Sequence, residues 1–239
     1  MINPMTSQNP SKPAKKDSLL LNLLVNILIP TVILSKFSGE DKLGVEWAII
    51  IALAFPIGYG IREVMRSGKF SLFSILGIFS VAMTGGMALL ELPPKYIIIK
   101  EAAIPAIFAI ATLLSMKTRY PLVKTFLYND TIMQVDKVSA ALKVNQSENA
   151  FEGALKNASY LMALSFIVSS ILNYILAKII LVSAPGTEAF NAELGKMNAL
   201  SIPVIAIPAT IVMMFALFYL FKQIKKLTKL ELEDILITQ

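Results

Sequence analysis

Residues 70–116 read FSLFSILGIFSVAMTGGMALL (70–90), ELPPKY (91–96) and IIIKEAAIPAIFAIATLLSM (97–116). This is an apolar arm, a polar turn and a second apolar arm. Each arm is about 20 residues, enough for an α-helix rising about 1.5 Å per residue to cross a hydrocarbon core of roughly 30 Å. Glu91, Pro93 and Pro94 break the helix between the arms, and Lys117 and Arg119 stop the second one. Lys100 and Glu101 lie about one turn inside the second arm. There an ionised side chain costs several kcal/mol unless it is paired or reaches back to water. The stretch is a membrane hairpin, and the rest of the chain varies the same pattern.

Composition agrees. Of 239 residues, 56% are apolar and 16% charged, and the mean hydropathy is +0.68. The charges cluster between long apolar runs, the pattern of a polytopic helical membrane protein rather than a soluble core. The chain has neither cysteine nor histidine, which excludes disulfides, the usual zinc ligand sets, Cys nucleophiles and His acid–base chemistry. No P-loop, dinucleotide-binding glycine turn, HExxH or serine-nucleophile setting occurs. The sequence therefore predicts no catalytic residues, no metal, no cofactor and no enzyme.

The expected fold class is all-α, a polytopic transmembrane bundle of six spans arranged as three helical hairpins (18–62, 70–117 and 159–222). Residues 1–17 are rich in Pro, Ser and Lys and read as a disordered basic cytoplasmic tail. No small-x-small cleavage pattern follows the first apolar run, so that run is expected to stay as a helix. Transmembrane helices 1–4 occupy 18–117, with the second from about Leu43 to Ile61. A cytoplasmic amphipathic helical connector follows over 118–158, in which Asn145 or Ser147 is the expected cap of a second short helix. Helices 5 and 6 fill 159–222, the sixth from about Ala199, and 223–239 form a cytoplasmic C-terminal tail. The link SAPGTEAFNAELGKMN (183–198) reads as polar and exposed.

Sixteen Lys and Arg fall on one side of this arrangement; the other holds Lys36, Lys42, Lys95, Lys100, Lys178 and Lys196. The positive-inside rule then puts both termini in the cytoplasm. The basic stretches flank spans, so anionic lipid is their expected partner and nucleic acid is not. The expected headgroup contacts are Lys117, Arg119, Lys124, Lys222, Lys225 and Lys226.

Polar residues inside the spans mark the other candidate site. Ser18, Asn22, Asn26 and Pro30 share one helical face, as do Ser165, Ser169 and Asn173. Ser80-x-x-x-Thr84 and the Thr84-Gly85-Gly86 run allow close helix approach. Intramembrane ionisable groups face a bundle interior or a water path. Asn22, Asn26, Thr84, Lys100, Glu101 and Asn173 are therefore grouped as one expected polar cavity, against the plainer reading in which the asparagines join helices and Lys100 snorkels.

At Asn22-x-x-x-Asn26, AFPIGYG (54–60), Thr84-Gly85-Gly86, KEAAIP (100–105), PGTEAFNAELGKMNALSIPV (185–204) and LTKLELED (227–234), the chain resembles an uncharacterised family of six-span bacterial inner-membrane proteins. More distantly it resembles the intracellular septation protein A family, through the basic stop at Lys117 to Lys124 with Pro121 and through Lys100. The resemblance implies a role in cell-envelope maintenance or division, as a scaffold or lipid-interacting protein with envelope proteins as partners. It supplies no reaction and no site, and the longer segment at 130–158 departs from the septation pattern. The alternative is a small transporter or channel for a small solute or headgroup-bearing substrate. Six spans are few for a monomeric transporter, so that alternative implies a homo-oligomer.

Overall fold

The computed structural model describes residues 19–67, 72–118, 121–130 and 132–237. The N-terminal tail, Phe70 at the start of the third span, and Arg119 lie outside them. Among the described residues the chain consists of helices joined by turns and short links, and its one β feature is an isolated antiparallel bridge between Met133 and Leu236.

Helix α1 is a single rod in three parts: Leu19–Leu23, a wide π turn at Leu24–Leu28, and Ile29–Lys36. Pro30 explains the π turn. It has no N–H to return to the Asn26 carbonyl, and the Ile29 N–H bonds Leu24 O one residue further back than in an α-helix. Four helices follow: α2 (Gly44–Ser67), α3 (Leu72–Leu89), α4 (Pro94–Ser115) and the short α5 (Leu122–Phe126). Then come α6 (Val135–Val144) and the long α7 (Glu148–Ile180). Helix α8 repeats the form of α1: Glu188–Ser201, a π turn at Ile202–Ala206, then Ile207–Thr228. Here Pro208 withholds the N–H due to Val204, and Ile207 bonds Ile202 O. A last turn, α9, covers Leu232–Ile235.

Four helical stretches are long and apolar enough to cross a membrane: Gly44–Met65, Pro94–Ser115, Glu148–Ile180 and Glu188–Thr228. Two more, Leu20–Lys36 and Ile75–Leu89, are apolar but shorter. Large apolar side chains such as Ile107, Ile110, Ile179, Phe215 and Phe218 are exposed along these helices, as in a protein solvated by lipid.

The arms of the 70–116 hairpin do not pack along each other. Past the turn, where Glu91 is left-handed at φ 51°, α3 lies on α2 while α4 lies on α7. Gly85 lets α3 approach closely, since a Cβ there would stand 1.8 Å from the Leu53 methyl. Helix α7 is the spine of the other half. Ser170 donates to Ala102 O of α4 (2.8 Å), and Ser165 donates to Ala209 O of α8 (2.7 Å).

Three sequence expectations change. Residues 188–201 are not an exposed link but the first part of α8. Thr187 caps it by accepting from the Phe190 N–H (3.2 Å). Phe190 and Leu194, spaced i and i+4, bury one face against α1 among polar neighbours that mask it in a composition count. Thr31 donates to Gly195 O (3.2 Å) across that contact. Second, α2 runs past Ile61 to Ser67. Third, Ser147 stands at the start of α7 without capping it; its hydroxyl reaches Leu142 O and Leu227 O at 3.4 and 3.1 Å.

The two ends of the bundle differ. At one, the links after α1, α3 and α7 gather. Asn191, fully buried, donates to Ser38 Oγ (3.0 Å) and Val45 O (2.9 Å), while the Glu193 carboxylate accepts from the Val182 and Ser183 N–H groups (2.9 and 3.0 Å). Glu40, Asp41, Glu91 and Glu188 also lie on these links or beside them, and we call this the acidic end. At the other, basic end, α5, α6 and α9 close over α7 and α8. Their core holds Val123, Met133, Val138, Phe151, Met162, Leu220, Ile224 and Ile235.

Candidate functional site

All six long helices meet at one cavity of ≈ 220 Å³. Helix α1 brings Asn26, Pro30 and Leu34; α2 brings Ile49, Ala52, Leu53 and Pro56. Helix α3 contributes Ser80, Val81, Thr84 and Gly85, and α4 contributes Glu101. Asn173 and Leu176 come from α7, and Leu194, Met197, Asn198, Ser201 and Ile205 from α8. Both π turns border this space: Asn26 lies within the first, while Ile205 lies within the second and Ser201 immediately before it. Pro30 and Pro56 line it as well, and each withholds an N–H from a carbonyl four residues earlier, on Asn26 and Ala52.

An ion pair forms part of the wall between α3 and α4. Lys100 Nζ lies 2.6 Å from Glu101 Oε1, 2.6 Å from Thr84 Oγ1, 3.0 Å from Ser80 Oγ and 3.2 Å from Ser80 O. An ammonium has three protons, so these four acceptors saturate it. Thr84 Oγ1 lies 3.1 Å from Ser80 O and 3.3 Å from Glu101 Oε1, closing the network. Lys100 is 6% exposed and Glu101 22%. At that burial, hydrogen bonds to both charges are what offsets their desolvation. The long Lys100 side chain thus spans the gap left where the hairpin arms part.

Of the residues grouped from sequence, Asn26, Thr84, Glu101 and Asn173 line the cavity. Lys100 sits behind its wall. Asn22 lies outside it, in an adjoining groove of ≈ 410 Å³ with Tyr59, Glu63 and Gly77. The cavity and the groove share Asn26, Pro56 and Val81. Asn26 Nδ2 donates to Asn22 Oδ1 (3.0 Å) at their junction.

Sequence reasoning missed Ser80, Asn198 and Ser201 as wall residues. A signal for the last two was present. Ile27-Leu28-Ile29-Pro30 and Ile205-Ala206-Ile207-Pro208 share the pattern Ile-x-Ile-Pro, and each closes a π turn beside the cavity. Asn198 Nδ2 reaches the Asn26 carbonyl at 3.5 Å, so the two proline-modified helices meet at the acceptor Pro30 leaves without its helical donor.

At the basic end, Lys117, Lys124, Lys222 and Lys226 are exposed, and Lys225 pairs with Glu231. Lys124 and Lys156 border a groove of ≈ 520 Å³ with Thr118 and Asn149. Two groups there titrate away from their usual values. Hydrogen bonding from Lys137, and then its charge, lowers the Asp234 carboxyl. Burial first, then Asp130 and Asp136, raise the Tyr128 phenol. Among the described residues no group of three or more Asp or Glu could hold a metal ion.

No protein-family model, no curated protein and no solved structure matches the chain.

Proposed function

We propose that this is a six-span membrane protein that binds a small polar solute in the cavity between its helices and passes it across the membrane, without catalysis. The six spans are α1–α4, α7 and α8. Both chain ends lie on the cytoplasmic side of the membrane, a placement supported by the sixteen Lys and Arg that the sequence puts on one side of the spans. The resemblance to bacterial inner-membrane proteins supports the choice of that membrane. One observation carries the reading. Six apolar helices converge on a space lined by three asparagines, two serines, a threonine and a glutamate, where both π turns and two prolines break the helical bonding. Transport sites are built this way, near mid-membrane and from interrupted helices whose freed backbone groups meet the solute.

A role in envelope maintenance or division through lipid contact is a second reading. The groove lined by Lys124, Lys156 and Glu152 supports it, because two lysines against one carboxylate leave it net basic, and basic pockets between helices on the cytoplasmic side suit anionic headgroups.

The test is flux. Proteoliposomes are challenged with neutral, cationic and anionic small solutes and followed by stopped-flow light scattering. At least one solute is expected to enter faster than in protein-free liposomes. That gain should vanish in Asn26→Leu and Asn173→Leu while both variants still insert. Vesicles as tight as protein-free ones to every solute would overturn the proposal.

A further inference from the structure

The side-chain donations recorded along the cavity wall run into the protein, and several acceptors are left over. Asn173 Nδ2 donates to Ser169 O (2.8 Å) and lies 3.4 Å from Ser169 Oγ. Asn26 Nδ2 donates to Asn22, Asn198 Nδ2 to the Asn26 carbonyl, and Ser201 Oγ to Asn198 O (2.6 Å). The Lys100 ammonium is saturated, as described. No hydrogen bond within the described residues reaches the side-chain carbonyl oxygens of Asn173 and Asn198 or the second carboxylate oxygen of Glu101. Pro56 leaves the Ala52 carbonyl without its helical donor as well.

The charges agree with that census. Glu101 lines the cavity about two turns from the acidic end of α4, and Glu63 lines the adjoining groove about one turn from the basic end of α2. Among the described residues neither lining includes a lysine or arginine, in a chain of net charge +6. The cavity's remaining lining is largely leucine, isoleucine, methionine and valine.

We infer that the solute is a small organic ammonium with an apolar body, held by Glu101 and the amide carbonyls of Asn173 and Asn198 and exchanged with the Glu63 groove past Asn26 and Pro56. This rests on the reading of the cavity as a solute site. A cation bonded to the Glu101 carboxylate and the free carbonyl oxygens makes charge-assisted bonds, stronger than those a neutral ligand makes with the same wall. An anion would find no free cation among the described lining residues, and the second amide protons of Asn26 and Asn198 and the Ser80 hydroxyl offer a neutral acceptor only bonds without charge assistance. Size fits too: about 150 Å³ of apolar cavity accepts benzene, and this one measures ≈ 220 Å³.

Three probes share one body and differ in charge: 2-phenylethylammonium, 2-phenylethanol and phenylacetate. Calorimetric titration into the purified protein in detergent is expected to give binding of the ammonium alone. Glu101→Gln should weaken it about tenfold or more by removing the charge-assisted bond. If that variant folds poorly, Lys100→Met/Glu101→Gln keeps the pair neutral and should weaken binding equally. Glu63→Gln should slow uptake into proteoliposomes while leaving the affinity measured by titration unchanged. Binding of the alcohol or the carboxylate in place of the ammonium would overturn the cation assignment and leave the solute site standing. Binding of none of the three would overturn the assignment, and the solute site falls with it only if the flux series also fails.

Discussion

The apolar core of the basic end and the central cavity both lie against the long helices, yet the core is filled, with its groove at the surface beside it, and the cavity is not. At the basic end Phe151, Met162, Leu220 and Ile224 interdigitate, and the polar groups that enter (Asn145, Ser147, Thr228) donate to backbone carbonyls. Around the cavity, prolines, π turns, Gly85 and short polar side chains hold the backbones in place without filling the space between them. Apolar packing supplies stability, and the places that resist it are where a solute can be received. The contrast also separates the readings of function, since a scaffold needs only the filled end.

Identical truncations should feel that contrast most strongly. Leu220, fully buried, should lose about 3–4 kcal/mol on Leu220→Ala, within the range for core leucines. Leu176, 7% exposed, borders the cavity and already lacks neighbours on one side, so Leu176→Ala should cost about half as much. Chemical unfolding in detergent measures both, and equal losses would erase the distinction between the regions.

Next in size is the ion pair. Lys100→Met leaves Glu101 part-buried without its cation and should cost about 2–3 kcal/mol, below the fully buried case because water reaches Glu101. Lys100→Met/Glu101→Leu should recover most of that, so the same unfolding assay reads the pair as a device for the site rather than for stability. A double variant no more stable than the single one would place the pair among the structural supports.

Smaller again is the clasp of the acidic end. Glu193→Ala removes the acceptor of the Val182 and Ser183 N–H groups and of Ser183 Oγ, a loss of about 1–2 kcal/mol. Amide exchange at 182 and 183 should rise while exchange at Leu220 stays unchanged.

The weakest effect lies at the basic surface, where Lys137 and Asp234 pair in the open. The Asp234 carboxyl is held below its ordinary 3.8, so whatever the pair contributes is present above that pH and is lost as pH falls through the lowered value. Melting curves of the parent and Lys137→Met should therefore differ slightly at neutral pH and merge in acid.

Much of this fold was legible in the sequence because run length and terminal charge report a helix that must satisfy its backbone in lipid. Which helix packs on which was not. Apart from Ser80, Thr84, Lys100 and Glu101, which turn toward one another, the 70–116 arms are largely apolar and carry no stripe that names a partner helix, so their spacing could not reveal that α3 turns to α2 and α4 to α7. Residues 188–201 were misread for the opposite reason, an excess of polar letters around the Phe190–Leu194 stripe. In the site, Asn26, Thr84, Glu101 and Asn173 stood out as polar groups inside apolar runs. Ser201 and Asn198 did not, because they join the wall only once Pro203 and Pro208 have opened α8.

The most direct test of the filled-versus-open contrast uses the absence of cysteine. Asn173→Cys and Leu220→Cys, each the sole thiol in its chain, are exposed in membrane vesicles to the small neutral reagent 2-hydroxyethyl methanethiosulfonate. If the cavity is a hydrated site within the bundle, the thiol at 173 should react at least about tenfold faster than the one at 220, buried thiols being inert. Equal rates, or an inert thiol at 173, would contradict the account.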